Sequence, residues 1–351
     1  MSGKSILRKN WKLILNIVTI TALVLLVYAI RHQIGTTIKN FAHINGWALL
    51  LIIPIEVVDY HAQAKMYQKM FATLGNKLSY SYLYKASLEL NLVNHLFPSG
   101  GLTGISYFGM TISGSNEKVT GGKATLVQMM KLVVTILSFE VLLIFGVFSL
   151  AIVGRVSELT ILVAGGLTMF LLTVTFGGGY IVNDRQRIHI FFGSLAKALN
   201  YCMRKIFKKK TETISVDGTR KVFDDFHDSY KEMMRDWRQL KSPFLYALLA
   251  NIAEVLAIYV VFLAFGRSVN IGAVILAYGV ANFAGLISVL PGGIGIYEAL
   301  MIAVLAISGV PASISLPAII MYRVVNTAIQ LPPGYYYYHK SMNKAKVIGP
   351  G

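Results

Sequence analysis

The chain has 351 residues, of which 55% are hydrophobic and only 14% charged, and its mean hydropathy is +0.60. Soluble domains carry about 25% charged residues, so this composition excludes a water-soluble globular protein. The net charge of +17 does not indicate nucleic acid as a partner, because most Lys and Arg lie in loops between apolar runs, next to anionic lipid headgroups.

The first element is an apolar run, Leu13 to Ile30, preceded by Lys4, Arg8, Lys9 and Lys12. It is longer than the apolar part of a signal peptide and has no clear cleavage site before Arg31, so it reads as a retained span. Runs at 46–64, 124–153, 159–182, 243–265 and 312–338 follow, each near the ~20 residues that a spanning helix needs. They are rich in Leu, Ile and Val and lack the alternation of a barrel strand. Two further apolar regions, 86–113 and 271–309, are broken in the middle by Pro and Gly. The expected fold is all-α: a polytopic helical membrane protein with six full spans and two broken hairpins.

Charge sets the expected orientation. With a cytoplasmic N-terminus, 27 of the 33 Lys and Arg fall inside and 4 outside, leaving Lys131 and Arg323 within spans. Both termini are therefore expected in the cytoplasm of a cell-membrane protein. The first broken region is flanked by Lys77, Lys85, Lys118 and Lys123, so it enters and leaves from the cytoplasmic side. The second, flanked by weakly charged segments around Arg267 and Val310, enters from outside. That describes re-entrant hairpins in an inverted repeat. The whole chain, 1–351, is then one transmembrane domain, with repeats at about 44–182 and 243–338. Eight full spans is the alternative, since 271–290 alone is long enough to cross.

Between the repeats, segment 183–242 carries 14 Lys and Arg against 8 Asp and Glu. Val222, Phe226, Tyr230, Met233, Trp237 and Leu240 recur there at helical spacing. This amphipathic helix lies either on anionic headgroups of the cytoplasmic leaflet or against the protein's own loops. Cys202 is the single cysteine, which leaves no disulfide and no metal site to expect. The run Tyr335 to Tyr338 reads as an interfacial aromatic belt. Gly177 to Gly179 lacks the context of a nucleotide loop, so no cofactor is expected.

The two breaks carry the chemistry. The first reads Asn91-Leu-Val-Asn94-His95-Leu-Phe-Pro98-Ser99-Gly100-Gly101-Leu-Thr103-Gly104. The second runs from Asn282 through Ser288-Val-Leu-Pro291-Gly292-Gly293-Ile-Gly295-Ile-Tyr297-Glu298. Proline removes a backbone donor and glycine loosens the helix, so each break frees polar backbone groups. In hydrocarbon, protein or a hydrated cavity must satisfy them. A half-helix starting after the glycines aims N–H groups at the break, which suits a phosphate or carboxylate. The candidate substrate-binding residues are Asn91, Asn94, Ser99, Gly100, Gly101 and Thr103 at the first break. At the second they are Asn282, Gly292, Gly293, Tyr297 and Glu298, joined by Arg323. Charges inside spans are costly and mark function by default, and Glu298 either pairs with Arg323 structurally or meets a cationic headgroup. Glu56 and Asp59, three apart on one face, are candidates for lining a cavity. Lys131 is placed to neutralise one of Glu89, Glu140 and Glu254, without the sequence saying which. His95 reads equally as a core group or a proton carrier.

These residues resemble a known family. Asn94-His-Leu-Phe-Pro98-Ser-Gly-Gly, then Leu-Pro291-Gly-Gly-Ile-Gly-Ile-Tyr-Glu298, then Tyr322-Arg323, are similar to the transmembrane domain of lysylphosphatidylglycerol synthases/flippases, over nearly the whole chain. One common form of that family has Gly-Glu and a downstream Arg where this chain has Thr103-Gly104 and Tyr107, so no headgroup preference carries over. The resemblance implies translocation of a phospholipid or lipid-linked substrate between leaflets. The chain ends soon after its last span, so the aminoacyltransferase domain of bifunctional relatives is not expected, and the protein is read as a transporter, not an enzyme. The alternatives are a non-transporting partner of a separate synthase, or an enzyme acting on lipid phosphates. The latter needs a cluster of catalytic His, Asp or Arg at one interface, and the sequence offers only scattered ionisable residues.

Overall fold

A computed structural model of the chain describes residues 44–96, 102–115, 119–191, 193–194, 216–287 and 295–344. Among them all regular structure is helical, with no strand. The expected first span, Pro98 to Gly101, Pro291 to Gly293 and Cys202 lie outside the described residues.

Helix α1, Gly46–Leu50, is capped by Asn45, whose side chain accepts from the N–H groups of Trp47 and Ala48. Helix α2, Ile52–Thr73, follows after Leu51, so the apolar run 46–64 is two helices, the second continuing through Lys65 and Lys69. Gly75 ends that stretch at a φ of +73°, a conformation that glycine adopts without strain. Next come α3, Tyr80–Leu96, and α4, Leu102–Ser115, on either side of the first break. Helices α5, Gly121–Ile152, and α6, Glu158–Val182, start at hydroxyl caps, Thr120 and Ser157. Helix α7, Val216–Arg235, leads through a 3-10 turn, Trp237–Leu240, into α8, Lys241–Ala264. Helices α9, Ile271–Ile287, and α10, Ile296–Ile307, flank the second break, and α11, Ala312–Lys344, closes the described chain.

Among the described residues, four helical stretches are long and apolar enough to cross a membrane: Gly121–Ile152, Glu158–Val182, Trp237–Ala264 and Ala312–Ser341. The arms of the two breaks are shorter. Helices α3, α4, α9 and α10 hold 17, 14, 17 and 12 residues. At ~1.5 Å per residue these reach roughly 25, 21, 25 and 18 Å, less than a hydrocarbon core of about 30 Å.

The chain forms two compact units, each built from separated segments. The second unit holds 57–87 and 105–254. Its α5 and α6 expose Ile144, Phe145, Phe148, Leu162, Met169 and Phe176, as helices solvated by lipid do. Tyr67 stacks on Phe108 at 4.6 Å between ring centroids. Helix α7 packs on α5, burying Phe226 and Met233. Thr120 donates its hydroxyl proton to Asp225, Lys123 pairs with Glu232 at 3.8 Å, and Lys231 donates to Asn183 at 2.7 Å. Of the two placements open for this amphipathic helix, its apolar face takes the chain's own helices.

The first unit comprises the chain up to Glu56, Leu88–Gly104 and Val255–Gly351. Within it α9 packs on α10, and α10 on α11. Gly104 lies so close to α3 that a Cβ there would stand 2.0 Å from Asn94 Oδ1 and 3.1 Å from Leu90.

Candidate functional site

The polar groups of the first unit gather on one face of α11. Tyr322, Asn326, Gln330 and Gly334 recur every four residues, which stacks them one turn apart. Asn326 donates to the Tyr322 hydroxyl at 3.1 Å, and Gln330 Nε2 donates to Asn326 Oδ1 at 2.8 Å. The same Nε2 donates to Glu56 Oε2 at 2.7 Å, and Asn91 Nδ2 donates to Gln330 Oε1 at 2.6 Å. The Gln330 amide is therefore fully used: both hydrogens are committed and its oxygen is occupied. Glu56 and Gln330 are buried, at 2% and 5% exposure.

Immediately after Gln330 the helix contains Pro332 and Pro333. Neither ring carries an N–H, so the turn that holds Gln330 lacks two of its helical donors. Gly334 then lets α11 approach α3: a Cβ there would lie 2.8 Å from the Leu88 carbonyl oxygen and 3.1 Å from Leu92 Cβ. Farther along, Ser341 donates to buried Glu89 at 2.6 Å.

At the other end of this polar face stands the start of α10. Gly295 opens that helix with φ +87° and donates its N–H to Glu298 Oε2 at 2.7 Å. Glu298 thus closes the N-terminus of its own helix, where a carboxylate also answers the helix dipole. Its other oxygen lies 3.2 Å from Arg323 Nε, and no aligned hydrogen bond is made there, so the contact is held by charge. The Arg323 guanidinium also covers the Tyr297 ring at 4.9 Å, a cation–π contact. The Arg323 charge reaches His95, whose Nδ1 donates to the Asn91 carbonyl at 3.0 Å.

Of the residues singled out from sequence, Tyr297, Glu298 and Arg323 form one cluster, and Glu56 and Asn91 are joined through Gln330. Asn282 is used within its own helix, donating to the Tyr278 hydroxyl at 3.3 Å. Asn94 is exposed beside Gly104. For Thr103 only the backbone of α4 is described, and Ser99, Gly100, Gly101, Gly292 and Gly293 lie outside the described residues. Asp59 belongs to the second unit, where Gln63 donates to it at 2.6 Å. Lys131 lies in the same unit and donates to the Gln63 amide oxygen at 2.7 Å, so that amide stands between it and Asp59. Glu140 instead accepts from Thr168 at 3.2 Å. Asn326 and Gln330 were not anticipated, although the four-residue period from Tyr322 to Gly334 was legible. Among the described residues no three His, Cys, Asp or Glu side chains group as a metal site would need.

Comparison with known proteins fits this architecture. The family described as "Lysylphosphatidylglycerol synthase TM region" matches residues 13–334. A UPF0104 membrane protein of Methanothermobacter thermautotrophicus is 32% identical over 97 residues, covering 28% of this chain and 29% of the relative. A UPF0104 membrane protein of Pyrococcus horikoshii is 27% identical over 126 residues, 35% of this chain and 38% of the relative. The aligned stretches thus span 29% and 38% of the length of these curated relatives.

Proposed function

The chain belongs to the lysylphosphatidylglycerol synthase TM-region family of membrane proteins, and from that premise we infer that it translocates a phospholipid or lipid-linked substrate between leaflets. The observation that carries this reading is the continuous polar face of α11, from Arg323 and Glu298 through Asn326 to Gln330, Glu56 and Asn91. A helix apolar enough to span a membrane gains nothing from such a face in lipid. It suits a polar group that must travel through the protein.

In this reading the phosphate of the headgroup meets Arg323 and the N-terminus of α10, taking the place that the Glu298 carboxylate holds at both. The headgroup then passes along α11 by exchanging places with the hydrogen bonds that Asn326, Gln330 and Asn91 make to one another. The short arms α3–α4 and α9–α10 then act as re-entrant hairpins that bring the Pro-Gly breaks to mid-membrane, in a protein with both termini in the cytoplasm of a cell membrane. The acyl chains remain in lipid beside the exposed apolar faces. No chemical step on the substrate is invoked.

The test is reconstitution into liposomes carrying trace fluorescent phospholipids of different headgroups, followed by quenching of the outer leaflet. Faster loss of protected fluorescence than in empty liposomes, reduced in Arg323→Gln, is expected. Rates equal to empty liposomes for every headgroup would overturn the reading.

A further inference from the structure

Glu298 and Arg323 form an ion pair at 3.2 Å, with side chains 8% and 18% exposed, so the pair is neutral and largely out of water. One carboxylate serves two partners: Oε2 accepts from the Gly295 N–H at 2.7 Å, and Oε1 faces Arg323. Oε1 has no hydrogen-bond partner among the described residues. A single directed hydrogen bond and one charge contact therefore hold the carboxylate where an anion from outside would sit.

The phosphodiester of a phospholipid brings one more negative charge to this place. Glu298, Arg323 and the phosphate then sum to a net charge of minus one, whether the carboxylate swings aside or stays near. Such a charge withdrawn from water is costly, and an ionisable group there neutralises itself instead. Arg323 cannot supply the remedy, since a guanidinium is already fully protonated. A phosphodiester is a far stronger acid than a carboxyl, which leaves Glu298 as the group to take a proton.

We propose that this site takes up one proton with each anionic headgroup it binds, and that Glu298 receives it. Hydronium delivers the proton to the displaced carboxylate and leaves as water, and the new O–H is a donor for the phosphate. When the headgroup departs, Glu298 gives up the proton and returns to Gly295 and Arg323. Resting on the transport reading, this makes anionic lipid and proton enter the site together.

Other ionisable groups stand on the helices around the pair. Tyr297 lies under the Arg323 guanidinium, and the Tyr322 and Tyr278 hydroxyls accept from Asn326 and Asn282; phenols keep their protons at neutral pH. Glu56 is engaged by Gln330, two turns farther along α11, and Glu89 by Ser341, farther still. His95, on α3, donates to the Asn91 carbonyl. An imidazole gains positive charge as pH falls through the neutral range, which would also favour an anion, so His95 is the necessary control.

The test is binding of a fluorescent phosphatidylglycerol analogue to the purified full chain in neutral detergent, read by anisotropy between about pH 5.5 and 7.5. The phosphodiester of this probe does not titrate there. Proton uptake fixes the sign: affinity rises as pH falls, by up to about tenfold per pH unit, and His95→Asn keeps that dependence. Glu298→Gln loses it and binds more tightly than wild type at neutral pH, because no carboxylate competes for Arg323. Equal slopes in wild type and Glu298→Gln overturn the proposal, as does a slope that vanishes in His95→Asn. Should Glu298→Gln fail to fold, binding heats of His95→Asn in two buffers of different ionisation enthalpy decide: one proton taken up per lipid supports the proposal, and none refutes it. Binding without pH dependence refutes the proposal alone, whereas absence of binding at every pH refutes the headgroup site as well.

Discussion

Replacing Gln330 by Leu removes the residue on which the polar face of α11 converges. The side chain keeps a similar volume, so the loss is chiefly of hydrogen bonds: one to the Glu56 carboxyl, one to Asn326 and one from Asn91. In water-based proteins a bond to a charged group contributes about 1.5–3 kcal/mol and a neutral one about 0.5–1.5 kcal/mol. Couplings measured within membranes average only ~0.6 kcal/mol, because the alternative state also finds partners. Glu56 and Gln330 are buried, at 2% and 5% exposure, so the loss falls between these limits, at about 2–3 kcal/mol. At roughly 2–4 °C per kcal/mol, the thermal midpoint should fall by about 4–12 °C. The assay is retention of the monodisperse peak after heating in detergent, with Glu56→Gln and the double variant completing a cycle. A Gln330→Leu midpoint within a degree of wild type, or strictly additive variants, would show that the three short contacts do not act as a network.

Three more outcomes follow. Glu298→Gln keeps an oxygen for the Gly295 N–H and loses the charge facing Arg323; it should cost about 2–3 kcal/mol, somewhat under the range for breaking a buried pair. Glu298→Ala also loses the cap and should cost ~1 kcal/mol more, so equal melting of the two variants would deny the cap. Gly334→Ala places a methyl 2.8 Å from the Leu88 carbonyl oxygen and should destabilise by about 1–3 kcal/mol, despite alanine's better helix propensity; equal or higher thermal stability would refute the close approach of α11 to α3. Asp184, just past α6, is held below its ordinary value by the Arg187 backbone N–H, with the Arg187 charge helping. A depressed carboxylate stabilises above its unfolded value, 3.8, and loses that contribution as pH falls through the lower folded one. Amide exchange over 185–191 should therefore quicken below about pH 4 in wild type, and not in Asp184→Asn.

How much of this was legible depends on which physical signal each feature leaves. Four long apolar stretches were visible because lipid-solvated helices are apolar on nearly every face, as α5 and α6 show at Ile144, Phe148 and Phe176. The extension of α2 to Thr73 was not, because a hydropathy reading stops at Lys65, whereas the backbone continues until Gly75. The ion pair between Glu298 and Arg323 was proposed from the cost of charge in a span, and the two do meet. The second role of Glu298, at Gly295, was hidden because capping depends on where the half-helix begins. Asn326 and Gln330 carry no charge and so drew no attention. Their signal is the four-residue period, and in a membrane the informative stripe is the polar one.

That inverted stripe also gives glutamine a particular use. Gln330 sets its donor end against Glu56 and its acceptor end under Asn91, and Gln63 sets its donor end against Asp59 and its acceptor end under Lys131. An amide presents a donor and an acceptor a single atom apart and carries no charge at any pH, so it can join a carboxylate to a donor group without adding charge. Glutamate has nearly the same shape and fails on this count. In Gln330→Glu a second carboxylate faces Glu56, and in Gln63→Glu one faces Asp59, so each variant must take up a proton or part the two oxygens. Gln330→Glu should therefore destabilise at neutral pH by at least as much as Gln330→Leu and recover part of that loss on acidification, while the Leu variant does not. The difference between their midpoints, followed with pH, separates an oriented amide from mere volume. Equal pH profiles for the two variants would mean that Gln330 fills space and that the polar face of α11 has no fixed direction.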